Sequence, residues 1–66
     1  MTVHVNGTEF EVPTGSALTD VVALVSTAPS GIAVAVNGEV VPRRSWPHTP
    51  VADGDRVEVV TAMQGG

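Results

Sequence analysis

Half of the apolar side chains in this chain are valine, 14 of 28. Two heavy atoms on Cβ restrict χ1, so valine prefers the pleated strand to the helix. The chain therefore predicts more sheet than helix. Val3-His4-Val5 alternates apolar and polar, and so does Glu9-Phe10-Glu11-Val12. Between them stands Asn6-Gly7. Asn-Gly suits the two-residue hairpin turn whose central positions both need positive φ. The opening segment is thus expected to be an antiparallel hairpin with Val3, Val5, Phe10 and Val12 on one side.

Pro13-Thr14-Gly15 interrupts the sheet, and Ser16 is placed to cap a helix carrying Asp20 in its first turn. Leu18, Val21, Val22 and Val25 follow at i, i+3, i+4 and i+7, one apolar stripe that must lie on something. Pro29-Ser30-Gly31 ends it. A helix of roughly ten residues spans about 15 Å, enough to cross a small sheet. Ile32 to Val36 reads as a buried strand, Asn37-Gly38 as a second hairpin turn, and Glu39-Val40-Val41 as the return strand stopped by Pro42. Three prolines between Pro42 and Pro50 predict no regular structure there beyond one tight turn. Asp53-Gly54-Asp55 is a turn, and Arg56 to Thr61 the last strand, with Val57 and Val59 inward.

The order strand, strand, helix, strand, strand, strand fits one helix packed across a five-stranded mixed sheet, because one apolar stripe matches one apolar sheet face. That is the α+β, ubiquitin-like β-grasp arrangement, with the first and last strands parallel in the centre. Residues 1–61 form this domain, and residues 62–66 a thin tail.

At 66 residues the chain is one domain, burying only about 60% of the surface its unfolded form exposes. It offers little volume for a catalytic cleft. No cysteine means no disulfide, thiolate zinc site or thiol nucleophile. Three arginines and no lysine against seven acidic residues give a net charge of −4. That balance argues against nucleic acid and anionic membranes and favours a basic protein partner. Met1 leads straight into a strand-like run rather than a charged segment and an apolar stretch, so no signal peptide or membrane span is expected and the chain reads as cytoplasmic. Lacking lysine, it cannot accept an isopeptide link through its own side chains.

Few side chains invite chemistry. His4 on a polar strand face and His48 in the proline-rich loop are too far apart in sequence, and too few, for a metal site. There is no Gly-x-Ser-x-Gly elbow and no phosphate loop. Trp46 reads as closing one end of the core. Arg43 and Arg44 read as a solvated pair, the sharper reading being that Arg43 holds the loop through backbone carbonyls. Val60 breaks the inward alternation of the last strand, and with Ala62 it presents apolar surface on the face opposite the helix, a candidate partner surface. The remaining candidate is the end itself. Glycine has no Cβ, so Gly65-Gly66 can thread a slot too narrow for other residues, and without a partner it is expected to be disordered. From Ala62 the tail reaches at most roughly 17 Å. Its α-carboxylate is ionised at neutral pH.

These pieces together resemble the ThiS-type sulfur carriers of thiamin biosynthesis. The resemblance rests on Asn6-Gly7, Asn37-Gly38, Val40-Val41-Pro42-Arg43, Trp46, Asp53-Gly54-Asp55, the valine-rich last strand and Gly65-Gly66, and it covers the whole chain. Met63-Gln64 depart from it, since that family often has smaller or more apolar residues there. Because the chain stops at Gly66, no trimming is expected to be needed. The resemblance implies a carrier, not an enzyme. A ThiF-like adenylating enzyme, using ATP and Mg²⁺, would draw in Ala62, Met63, Gln64 and Gly65 and activate Gly66. Sulfur from a cysteine desulfurase would convert Gly66 to a thiocarboxylate for a ThiG-like thiazole synthase. A molybdopterin-synthase small subunit, a ubiquitin-like modifier and a passive β-grasp binding module are the alternatives.

Overall fold

The computed structural model describes residues 1–26 and 31–61. Within them, the strands are β1 (Thr2–Val5), β2 (Thr8–Glu11), β3 (Ile32–Val36), β4 (Glu39–Val41) and β5 (Arg56–Thr61). The helix α1 (Leu18–Val22) follows β2, and a 3₁₀ helix (Arg43–His48) follows β4. The strands form one sheet in the order β2-β1-β5-β3-β4. The first and last strands are parallel neighbours at its centre, with His4 opposite Arg56 and Val5 opposite Val57. The other pairings are antiparallel. This is the β-grasp arrangement expected from the element order.

Both Asn-Gly turns form as the residues dictate. Asn6 and Asn37 have φ of 51°, and Gly7 and Gly38 follow at 84° and 86°. Two successive positive φ values give the turn whose twist matches that of the flanking strands. The hairpins place Val3 opposite Phe10 and Val36 opposite Glu39.

One face of the sheet carries the core. Val3, Val5, Val12, Val34 and Val57 bury there with Leu18, Val21 and Val22 of α1, and Trp46 and Val51 complete the cluster. β3, read from its apolar run as a buried strand, is buried on one face only. Val34 is buried but Ala33 is exposed, because α1 covers one side of the sheet only.

The helix is shorter than its stripe predicts. It ends at Val22, and the next turn closes through tighter bonds, Leu24 N–H to the Val21 carbonyl and Val25 N–H to the Val22 carbonyl, each 3.1 Å. Val25 remains 41% exposed. A helix this short is held by packing rather than propensity, and the packing stops at Val22.

Its start is also displaced by one residue. Ala17, not Ser16, is the N-cap. The Ser16 hydroxyl instead donates to the Pro13 carbonyl at 2.6 Å. The strand-like segment around Ala17 bridges Pro50, so Leu18 N–H donates to the Thr49 carbonyl at 2.8 Å and Val51 N–H to the Ser16 carbonyl at 3.0 Å. A distant backbone thus satisfies an amide that a capping side chain would otherwise serve. Asp20 accepts from Ala17 N–H at 3.1 Å, as an acid in the first turn should.

The proline-rich loop is more regular than expected. Pro42 fixes the entry and six residues wind as a 3₁₀ helix. Trp46 packs into the core and its Nε1–H donates to the Val41 carbonyl at 2.9 Å. That bond ties the loop to the end of β4. Side chains at i and i+3 eclipse in a 3₁₀ helix. Arg43 accordingly sits over the Trp46 ring, 5.1 Å from its centroid. Trp46 therefore makes the backbone link that the sharper reading gave to Arg43.

Candidate functional site

β5 carries the residue singled out on the strand before the tail. Val60 faces away from the core and is 60% exposed. Pairing places it beside exposed Ala33 of β3. Two residues on, Ala35 lies opposite Glu58 on one side and Val40 of β4 on the other, and Val40 is 71% exposed. Paired residues share a face. Val60, Ala33, Ala35 and Val40 therefore make an apolar strip over three adjacent strands, bordered by the Glu58 carboxylate. Sequence reading found Val60 and missed Val40. The signal was present in Val40-Val41, two valines in succession on a strand with one covered face, of which one must point outward.

The same open face continues into polar ground. An open basin of about 660 Å³ lies between the hairpin turns, lined by His4, Asn6, Asn37, Arg56 and Glu58 among others. His4 stands opposite Glu9 on β2 and Arg56 on β5. His48 is exposed at the end of the 3₁₀ helix. Among the described residues no three His, Cys, Asp or Glu side chains converge as metal ligands. Ser16 is buried and engaged with Pro13, so it is not presented as a nucleophile. Among the described residues no helix is long and apolar enough to cross a membrane.

Both turn asparagines do more than shape their turns. The Asn6 side chain accepts from Val59 N–H at 2.9 Å and donates to the Val59 carbonyl at 3.2 Å. The Asn37 side chain accepts from Arg56 N–H at 3.0 Å and donates to Asp55 Oδ1 at 3.1 Å. Each amide grips β5 from a hairpin turn, one on either side of it. A partner 53 residues away leaves no trace in local spacing. The candidates Ala62, Met63, Gln64, Gly65 and Gly66 lie outside the described residues. They follow Thr61, the last residue of β5, which pairs with Ile32.

A model of the ThiS family matches residues 3–66. The chain belongs to the ThiS family. The matched span runs from β1 through Gly66, so it includes the Gly-Gly pair. The fold is similar to the crystal structure of a thiamine biosynthesis protein (ThiS) from Geobacter metallireducens, with 33% identity, a TM-score of 0.81 and the whole of both chains covered. It is also similar to an NMR solution structure of a thiamine biosynthesis protein from the same organism, at 33% identity and a TM-score of 0.73, covering all of this chain and 88% of that one. No curated protein gives a significant match. Family and fold agree with the resemblance drawn from the residues.

Proposed function

We propose that this ThiS-family chain is a cytoplasmic sulfur carrier of thiamin biosynthesis, with Gly66 as the carrying residue. The supporting observation is the family match that extends from β1 through Gly66, on a fold whose central strand leads into the last five residues. A carrier of this kind needs no catalytic side chain of its own. It needs a docking surface and a terminal carboxylate that a partner can reach.

The partner is a ThiF-like adenylating enzyme that docks on the open sheet face around Val60. A Gly66 carboxylate oxygen attacks the α-phosphorus of ATP, and the bond to the departing pyrophosphate breaks. Mg²⁺ in the partner's site offsets the charge that develops on the phosphates. Enclosure by the partner shields the acyl-adenylate from water. A persulfide sulfur that originates from a cysteine desulfurase attacks the acyl carbon and expels AMP. Reduction of the resulting S–S link by a thiol leaves the thiocarboxylate. A ThiG-like thiazole synthase then takes that sulfur for the thiazole ring. Residues Ala62, Met63, Gln64 and Gly65 enter the partner's channel ahead of the chemistry.

Intact mass spectrometry after incubation with ATP, Mg²⁺, a sulfide source and the adenylating enzyme tests this. The expected result is replacement of one oxygen by one sulfur, located in the C-terminal peptide, and no change in a variant with one residue added after Gly66. Loading of that extended variant overturns the carboxylate assignment. Adducts to lysines of other proteins identify a modifier instead. An unmodified chain, beside a control carrier that loads, identifies a binding module.

A further inference from the structure

The two edges of β5 are held differently. Towards β3, pairing runs the full length of the strand, from Val57 opposite Val36 to Thr61 opposite Ile32. Towards β1, the paired residues end at Val5 and Val57, and the chain then turns away at Asn6-Gly7. The last backbone bond on that edge is Asn6 N–H to the Val57 carbonyl, 2.9 Å. Beyond it a strand paired on one edge alone can tilt about its remaining neighbour.

The Asn6 side chain covers the next step of the ladder. Its amide offers one acceptor and two donors. It meets both the N–H and the carbonyl of Val59, two groups that a continued parallel β1 would meet with two residues in turn. Val60 and Thr61 come next in the chain, and then residues 62–66. Asn37 is a matched counterpart: same turn type, same φ, and likewise two side-chain hydrogen bonds. Its grip falls at Asp55 and Arg56, where β5 begins.

We infer that Asn6 is a positioning residue that fixes the outgoing end of β5, and so the point and direction from which Gly66 is delivered to the adenylating partner. This rests on the carrier reading above. Docking on the sheet face sets how tightly the carrier binds. The clip at Val59 sets how often its carboxylate reaches ATP once bound. Loss of the clip therefore affects turnover, whereas loss of fold stability alone affects neither turnover nor binding at temperatures where the chain is folded.

The test compares Asn6→Gly with Asn37→Gly in the full chain. Glycine keeps the positive φ of each turn and adds the same backbone-entropy cost at both, so the two variants differ in which side-chain bonds are lost. Both variants are expected to lose similar stability. In steady-state adenylation with the carrier as varied substrate, N6G is expected to lower kcat about tenfold with KM unchanged, a part of the roughly 100-fold that a 1 Å misplacement of a reacting group can cost. N37G is expected to keep the wild-type kcat. In amide exchange, Val59 N–H is expected to lose protection in N6G and keep it in N37G. N6D retains an acceptor for Val59 N–H and is expected to fall between N6G and wild type, and it carries the comparison if N6G does not fold. Equal kcat in all the chains, or an equal fall in N6G and N37G, overturns the inference. Failure of the wild-type chain to load overturns the carrier reading instead, and the clip at β5 is then decided by Val59 exchange.

Discussion

At the scale of single residues, the two hairpin glycines carry constraints that their surroundings do not. A Cβ built on Gly7 or Gly38 meets nothing within 4 Å. Space is therefore not the reason for glycine at either position. The reason is φ, at 84° and 86°. L-residues cost about 1–2 kcal/mol in the left-handed region. Gly38→Ala should accordingly lower stability by about 1 kcal/mol in urea denaturation without altering the fold. A neutral G38A would show that the turn relaxes to another type. Trp46 illustrates the opposite case, a residue defined by its contacts. Its ring fills the core, its Nε1–H holds the Val41 carbonyl, and its outer face takes the Arg43 guanidinium. One side chain thus closes the core and fixes the proline-rich segment.

At the scale of elements, α1 shows how tertiary contacts displace a boundary. Ser16 has the residue type of a cap, yet the bridge between Ala17 and Pro50 holds it in an extended segment outside the helix. The position that does cap the helix carries alanine, which offers no side-chain acceptor. Ala17→Ser should therefore stabilise the fold by about 0.5–1 kcal/mol, read as a rise in the thermal midpoint. An unchanged or lower midpoint would mean that the bridge to Pro50 already meets the need. Ser16→Ala is expected to be destabilising for a different reason, since it removes a buried hydroxyl bonded to Pro13.

At the scale of the whole molecule, the single helix divides the sheet into two faces with different work. The covered face holds the chain together. The open face leaves Val60 and Val40 exposed on strands that flank β3. Val60→Asp puts a charge into the apolar strip without touching the core. It should weaken binding to the adenylating enzyme by roughly tenfold, as loss of a central interface contact does, and leave the thermal midpoint nearly unchanged. Calorimetric titration of the partner checks the first outcome and circular dichroism the second. Wild-type affinity in V60D would remove this face from the docking surface. The parallel β1–β5 pair at the centre ties the two hairpins together, and the last residues of the chain leave from that same central strand.

The sequence by itself determined the five strands, the α-helix and their order, because those follow from local chemistry. Asn-Gly dictates two turns, the alternation of Val3, Val5, Phe10 and Val12 dictates one buried face, and the helical stripe read from Leu18 to Val25 dictates what covers it, although only its part up to Val22 is helical and buried. Val60 was legible for the same reason, as an apolar residue on the wrong phase of a one-sided strand. The motifs that carry the family resemblance, from Asn6-Gly7 to Gly65-Gly66, are legible in the chain as well. The tertiary structure alone decided where α1 starts, since that depends on Thr49 and Pro50 meeting Ser16 and Ala17. It decided that Arg43–His48 winds into a 3₁₀ helix with Trp46 buried, and that Val40 joins Val60 in the strip across β3. It also decided that Asn6 reaches Val59. Most of these depend on residues far apart in the chain, and spacing along a sequence carries no record of which distant segment supplies a hydrogen bond or a neighbour.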